Sequence, residues 1–130
     1  MSFKHFIPAL AWGAIIFIAI SLPPGNIPKT PLLKIPHFDK WVHFFLFLIF
    51  GAFTAYGFFK QRLGSFLKRK YVPLTLLAGL IYGSITELLQ YFFFFGRNAN
   101  IADVITNLFG TIIGVLLFRL ALSFKPNFFY

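Results

Sequence analysis

Four long stretches of the chain are apolar on every side, and the polar residues collect between them. The apolar runs cover residues 6–22, 41–59, 72–95 and 103–123. Each is close to the ~20 residues that cross a hydrocarbon core as a helix. Hydrophobicity that wraps the whole helix marks a membrane span, whereas an amphipathic surface helix confines it to one stripe. Pro23-Pro24-Gly25 closes the first run, Pro36 and Asp39 precede the second, and Pro126 follows the fourth, in keeping with helix boundaries. The pattern predicts an all-α polytopic membrane protein, a single domain over residues 1–130 built as a bundle of four transmembrane helices with short loops. The phenylalanine run at 92–95 reads as lipid-facing or interfacial aromatics.

Composition strengthens this picture. Hydrophobic residues make up 58% of the chain and charged residues 12%, against about a quarter charged in a soluble domain. The absence of cysteine excludes disulfides, thiolate metal sites and cysteine nucleophiles. The first run admits a second reading. Lys4, an apolar core and Ala19-Ile20-Ser21 resemble a signal peptide with a small-residue cleavage site. Pro23-Pro24 follows closely and favours a retained span.

The net charge of +9 is unevenly placed. Lys60, Arg62, Lys68, Arg69 and Lys70 crowd the loop between the second and third runs, and the positive-inside rule assigns that loop to the cytoplasm. Both termini are then cytoplasmic, with Lys4, Arg119 and Lys125 on the same side. Lys29, Lys34, Lys40 and Arg97 fall on the outer side. Basic residues gathered between apolar runs belong to membrane topology, so nucleic acid is set aside as a partner and membrane lipids take its place.

Only three carboxylates occur, Asp39, Glu87 and Asp103, and each has a polar companion at helical spacing. His43 follows Asp39 by four, Gln90 follows Glu87 by three, and Asn107 follows Asp103 by four, so each pair shares a helix face. Glu87 lies about nine residues below Gly96, or ~13 Å at helical rise, which is near mid-bilayer. An ionised carboxylate there must be paired, hydrated or protonated. It serves either as a neutral cross-helix hydrogen-bonding group or as an acid, base, proton carrier or ligand. Asp103, behind Asn100, is either a first-turn helix cap or a site residue, and Asp39 stands between the same readings. His43 is a core histidine or a ring oriented by Asp39. Arg97 is either a lipid-headgroup contact or a clamp for a phosphate or carboxylate. Gly79 and Gly83 precede Glu87, and Gly110 and Gly114 continue the Asp103/Asn107 face. Glycines at this spacing admit close helix approach, so the third and fourth spans are expected to pack through them.

Asp39-Lys40-x-x-His43-Phe44, Glu87-x-x-Gln90, Gly96-Arg97 and Asp103-x-x-x-Asn107-x-x-Gly110-x-x-x-Gly114, in that order, resemble the signature of VanZ-like membrane proteins. The resemblance implies a protein of the bacterial cytoplasmic (inner) membrane. It also implies a link to low-level resistance to the glycopeptide teicoplanin, separate from the enzymes that remodel peptidoglycan precursors.

Three functions follow as expectations. The first is a binding or envelope-modifying protein whose outward polar site engages a lipid-linked precursor or a lipoglycopeptide. Arg97 would hold an anionic group, Glu87, Asp103 and His43 would supply hydrogen bonds, and phenylalanine walls would take an acyl chain. The second is a small intramembrane enzyme on a lipid-linked phosphate, with Glu87 or Asp103 as base, His43 as acid or shuttle, and Arg97 as charge stabiliser. Such an Asp/Glu/His set suits a divalent cation, but no compact motif such as HExxH is present, and no cofactor is expected. The third is a proton-coupled transporter with Glu87 as carrier, which needs an oligomer because four spans make a thin pathway.

Overall fold

The computed structural model describes residues 1–21, 38–93 and 101–129. A 3-10 turn at Phe3–Phe6 leads into α1 (Ile7–Ser21), followed by α2 (Phe38–Phe59), the single-turn α3 (Phe66–Arg69), α4 (Tyr71–Phe93), α5 (Ile101–Phe124) and a final turn α6 (Pro126–Phe129). Four helices, Phe3–Ser21 with its leading turn, Lys40–Phe59, Tyr71–Phe93 and Ile101–Phe124, are long and apolar enough to cross a membrane. Among the described residues there is no strand. The protein is therefore an all-α membrane protein.

The boundaries differ from the sequence reading mainly at polar positions. α2 begins at Phe38 and takes Asp39 and Lys40 into its first turn. The basic loop holds α3, capped by Ser65, whose hydroxyl accepts the Lys68 N–H at 3.2 Å. Pro73 stands in the first turn of α4, where a missing N–H costs nothing, and Pro126 opens α6. Pro126 thus ends α5 and starts another turn.

α2 is the central element, packing most extensively against α5 and touching α4 and α1 as well. Its closeness to α5 is a backbone matter. A Cβ added at Gly114 would collide with the Leu48 carbonyl, and one at Gly110 with the Phe44 carbonyl. From the other side, a Cβ on Gly51 would stand 2.7 Å from the Thr111 oxygen. Without a hydrophobic force between helices in lipid, such contact supplies the van der Waals attraction that pairs them. This corrects one expectation. Gly79 and Gly83 do face α5, against Thr111 and Asn107, but Gly110 and Gly114 face α2. α5 therefore presents different faces to its two neighbours.

The two ends of the bundle differ in chemistry. At one end Phe59, Val115, Phe118 and Ala55 form a buried apolar cluster, with Phe59, Tyr71 and Phe118 meeting edge to face. The opposite end holds the polar residues described next. α1 docks on the side through Ile16 and Ile20 against Phe47. It is pinned there by Trp12, whose indole donates to the Leu46 carbonyl at 2.8 Å, and by Tyr82, whose hydroxyl donates to the Gly13 carbonyl. At the start of the chain, Gln61 accepts from the Ser2 N–H at 2.8 Å and donates back to the Ser2 carbonyl at 3.1 Å.

Candidate functional site

The antiparallel run of the helices collects polar residues distant in sequence. The first turns of α2 supply Lys40 and His43, the last turns of α4 supply Glu87 and Gln90, and the first turns of α5 supply Asp103 and Asn107. His43, Glu87, Gln90, Asp103 and Asn107 are all buried. Lys40 is the more open member, and its ammonium lies 2.8 Å from Asp103 Oδ1, with side-chain exposures of 33% and 10%. This pair forms the rim of the cluster.

Beneath the rim, His43 Nδ1 lies 3.2 Å from Asn107 Oδ1 and 4.0 Å from Glu87 Oε1. With the amide so oriented, Nδ1 carries the proton and Asn107 accepts it. Asn107 Nδ2 is buried with no acceptor among the described residues, and it lies on the side facing Gly83. A side chain at Gly83 would reach the Asn107 Cβ at 3.2 Å, so the glycine leaves room for this amide. Thr86, Thr106 and Thr111 line the same region but return their hydroxyl protons to carbonyls of their own helices, at Gly83, Ala102 and Asn107. They fill space in the polar end without competing for the cluster.

Of the residues singled out in the sequence, His43, Glu87, Gln90, Asp103 and Asn107 therefore come together at one end of the bundle. The Asp39 side chain, Gly96, Arg97 and Asn100 lie outside the described residues. The His43 ring meets Asn107 of α5, and the reading in which Asp39 orients that ring falls on a side chain outside the described residues. Asp103 stands in the first turn of α5, as a cap reading requires, but it is also the ion-pair partner of Lys40. The Lys40 role was missed. Its signal was its place beside Asp39 at the start of an apolar run, one turn before His43. Among the described residues no group of three His, Cys, Asp or Glu side chains is arranged to hold a metal ion.

Two apolar grooves open among the described residues. A groove of about 530 Å³ lined by Trp12, Phe38, Trp41, Phe45 and Ile49 runs along α2. By helical spacing it occupies the face of α2 opposite Lys40 and His43. A second groove, of about 610 Å³, opens between α1 and α4 around Gly13 and Tyr82. Both end in lipid-facing surface, and the polar cluster lines neither.

No curated protein and no solved structure matches the chain. A family model does match, that of VanZ/LLP1, over residues 2–122. That span takes in the first three membrane-crossing helices, all but the last two residues of the fourth, and every residue of the cluster. The chain is a member of the VanZ/LLP1 family.

Proposed function

We propose that this is a protein of the bacterial inner membrane whose polar end faces outward and engages a lipid-linked envelope precursor or an acylated glycopeptide. By this engagement it lowers susceptibility to lipoglycopeptides such as teicoplanin. The observation that carries the reading is the convergence of Lys40, His43, Glu87, Asp103 and Asn107 at one end, with the buried Asn107 Nδ2 left as a spare donor. Buried polar groups in membrane spans are expensive and tend to be functional. An oxygen of a ligand, or of a water admitted with it, would complete the amide. Lys40 and Asp103 meet the ligand first, and opening their pair gives access to His43 and Glu87. An acyl chain would pass over the first turn of α2 and lie in the Trp41/Phe45 groove on its far side. The charge distribution supports cytoplasmic termini, because the basic loop lies at the opposite end.

The test is teicoplanin and vancomycin susceptibility in a sensitive bacterium carrying wild type or Glu87→Gln at matched membrane levels. Protection against teicoplanin that exceeds protection against vancomycin, and that is lost in the variant, is the expected result. Equal protection by wild type and variant would make Glu87 structural, and equal protection against both drugs would remove the role of the acyl chain.

The approach of His43 to Glu87 favours one further reading, acid–base catalysis on a lipid-linked phosphate. Turnover of a polyprenyl phosphate by purified protein, abolished by Glu87→Gln, would establish it over simple binding.

A further inference from the structure

Among the described residues, the charged side chains at the end of the bundle remote from the cluster are basic. All acidic residues of the chain, Asp39, Glu87 and Asp103, belong to the polar end, at the start of α2, late in α4 and at the start of α5. The other end gathers Lys4 from the 3-10 turn, Lys60 and Arg62 after α2, and Arg69 and Lys70 around α3. Arg119 and Lys125 lie near the same level on α5 and just after it. Glu87 and Asp103 stand in the late turns of α4 and the first turn of α5, toward the opposite end, so their carboxylates are set apart from these cations. Like charges held together this way attract counter-ions of the opposite sign.

The face is built as well as charged. Gly64 turns the loop through φ +79°, and Ser65 caps α3. The Lys68 ammonium sits 4.6 Å from the centre of the Phe59 ring, tying the loop to the apolar cluster. Gln61 clasps Ser2 and so holds the turn carrying Lys4 beside the same loop. Between the cations stand two large apolar side chains, Leu63 at 78% exposure and Phe66 at 67%. Bulk water disfavours such leucine and phenylalanine, and bare hydrocarbon disfavours the neighbouring arginines. The boundary between headgroups and acyl chains accepts both.

We propose that this end is a binding site for anionic phospholipid headgroups. Arg62, Arg69, Lys70 and Lys4 hold the phosphates, and Leu63 and Phe66 enter the upper acyl region. The guanidinium groups of Arg62 and Arg69 suit phosphate because their donors form a planar fork. The site shares no residue with the polar cluster and stands whatever that cluster binds.

The experiment uses the full chain, reconstituted into vesicles of phosphatidylcholine mixed with phosphatidylglycerol, extracted in mild detergent and washed. The retained lipids are quantified by mass spectrometry. Wild type should keep phosphatidylglycerol in excess of its share of the vesicle, and the excess should fall as salt rises. The triple variant Arg62→Gln, Arg69→Gln, Lys70→Gln should lose at least roughly tenfold of that enrichment, given the attraction each cation adds at an anionic surface. Glu87→Gln should retain it. Wild type that holds both lipids in vesicle proportion, or an enrichment insensitive to salt, overturns the proposal without recourse to any variant. A folded triple variant with full enrichment overturns the assignment to these residues.

Discussion

At the residue scale, the cluster joins groups that the membrane would otherwise penalise. Lys40 and Asp103 satisfy each other at the rim, where partial exposure screens their attraction. A double-mutant cycle on Lys40→Ala and Asp103→Ala, read by thermal melting in detergent, should give a coupling on the order of 1 kcal/mol. Asn107 is more costly to change because it is fully buried and accepts from His43. Asn107→Leu leaves the His43 N–H without that acceptor and should destabilise the protein by about 1–3 kcal/mol in the same assay. Asn107→Asp keeps an acceptor, so it should restore the interaction with His43 even if it changes ligand response. The polar residues themselves were legible in the sequence because charge is scarce there. Their partners were not. Helical spacing ties Asp103 to Asn107 and Asp39 to His43, whereas the Lys40–Asp103 and His43–Asn107 contacts cross between helices, over separations of 63 and 64 residues.

At the element scale, the four spans were readable from apolar runs because lipid removes the alternation that a soluble helix would show. Which spans touch was less readable. Gly110 and Gly114 announce a close approach, but a glycine pair carries no name for its partner, and only the backbone course sets α2 beside them. The short helix α3 escaped notice because five cations in a loop mask a Ser65 cap. The glycines make a graded prediction. Gly114→Ala drives a methyl into the Leu48 carbonyl and should cost about 1–3 kcal/mol of stability, with backbone unable to yield. Gly83→Ala meets a side-chain carbon at 3.2 Å, where a small shift suffices, and should cost less. Reversal of that order in unfolding measurements would mean that α5 pairs chiefly with α4.

At the scale of the whole molecule, α1 is an attached element, held to the α2, α4 and α5 core by Ile16, Ile20 and two hydrogen bonds. Tyr82→Phe removes one of those bonds and should cost about 0.5–1.5 kcal/mol, with α1 becoming more accessible to protease. Orientation is open to a direct test because the chain has no native cysteine. A single cysteine at Leu63 should react with membrane-impermeant maleimide only after the cells are opened, and one at Trp41 in intact spheroplasts. The opposite labelling pattern would invert the topology and turn the polar cluster toward the cytoplasm.

The partners of His43 also set a timetable for synthesis. His43 waits for Asn107, 64 residues further along the chain. At ~5–20 residues per second a ribosome needs roughly 3–13 s to make that stretch. Through that interval α2 is complete, yet its histidine and lysine lack the α5 side chains that receive them, and bare lipid would tax both. The nascent helix therefore has to linger beside the insertion machinery, or at its wet edge, until α5 emerges. Release of the hairpin formed by α1 and α2 ahead of time would strand a polar helix in hydrocarbon, a ready mark for membrane quality control.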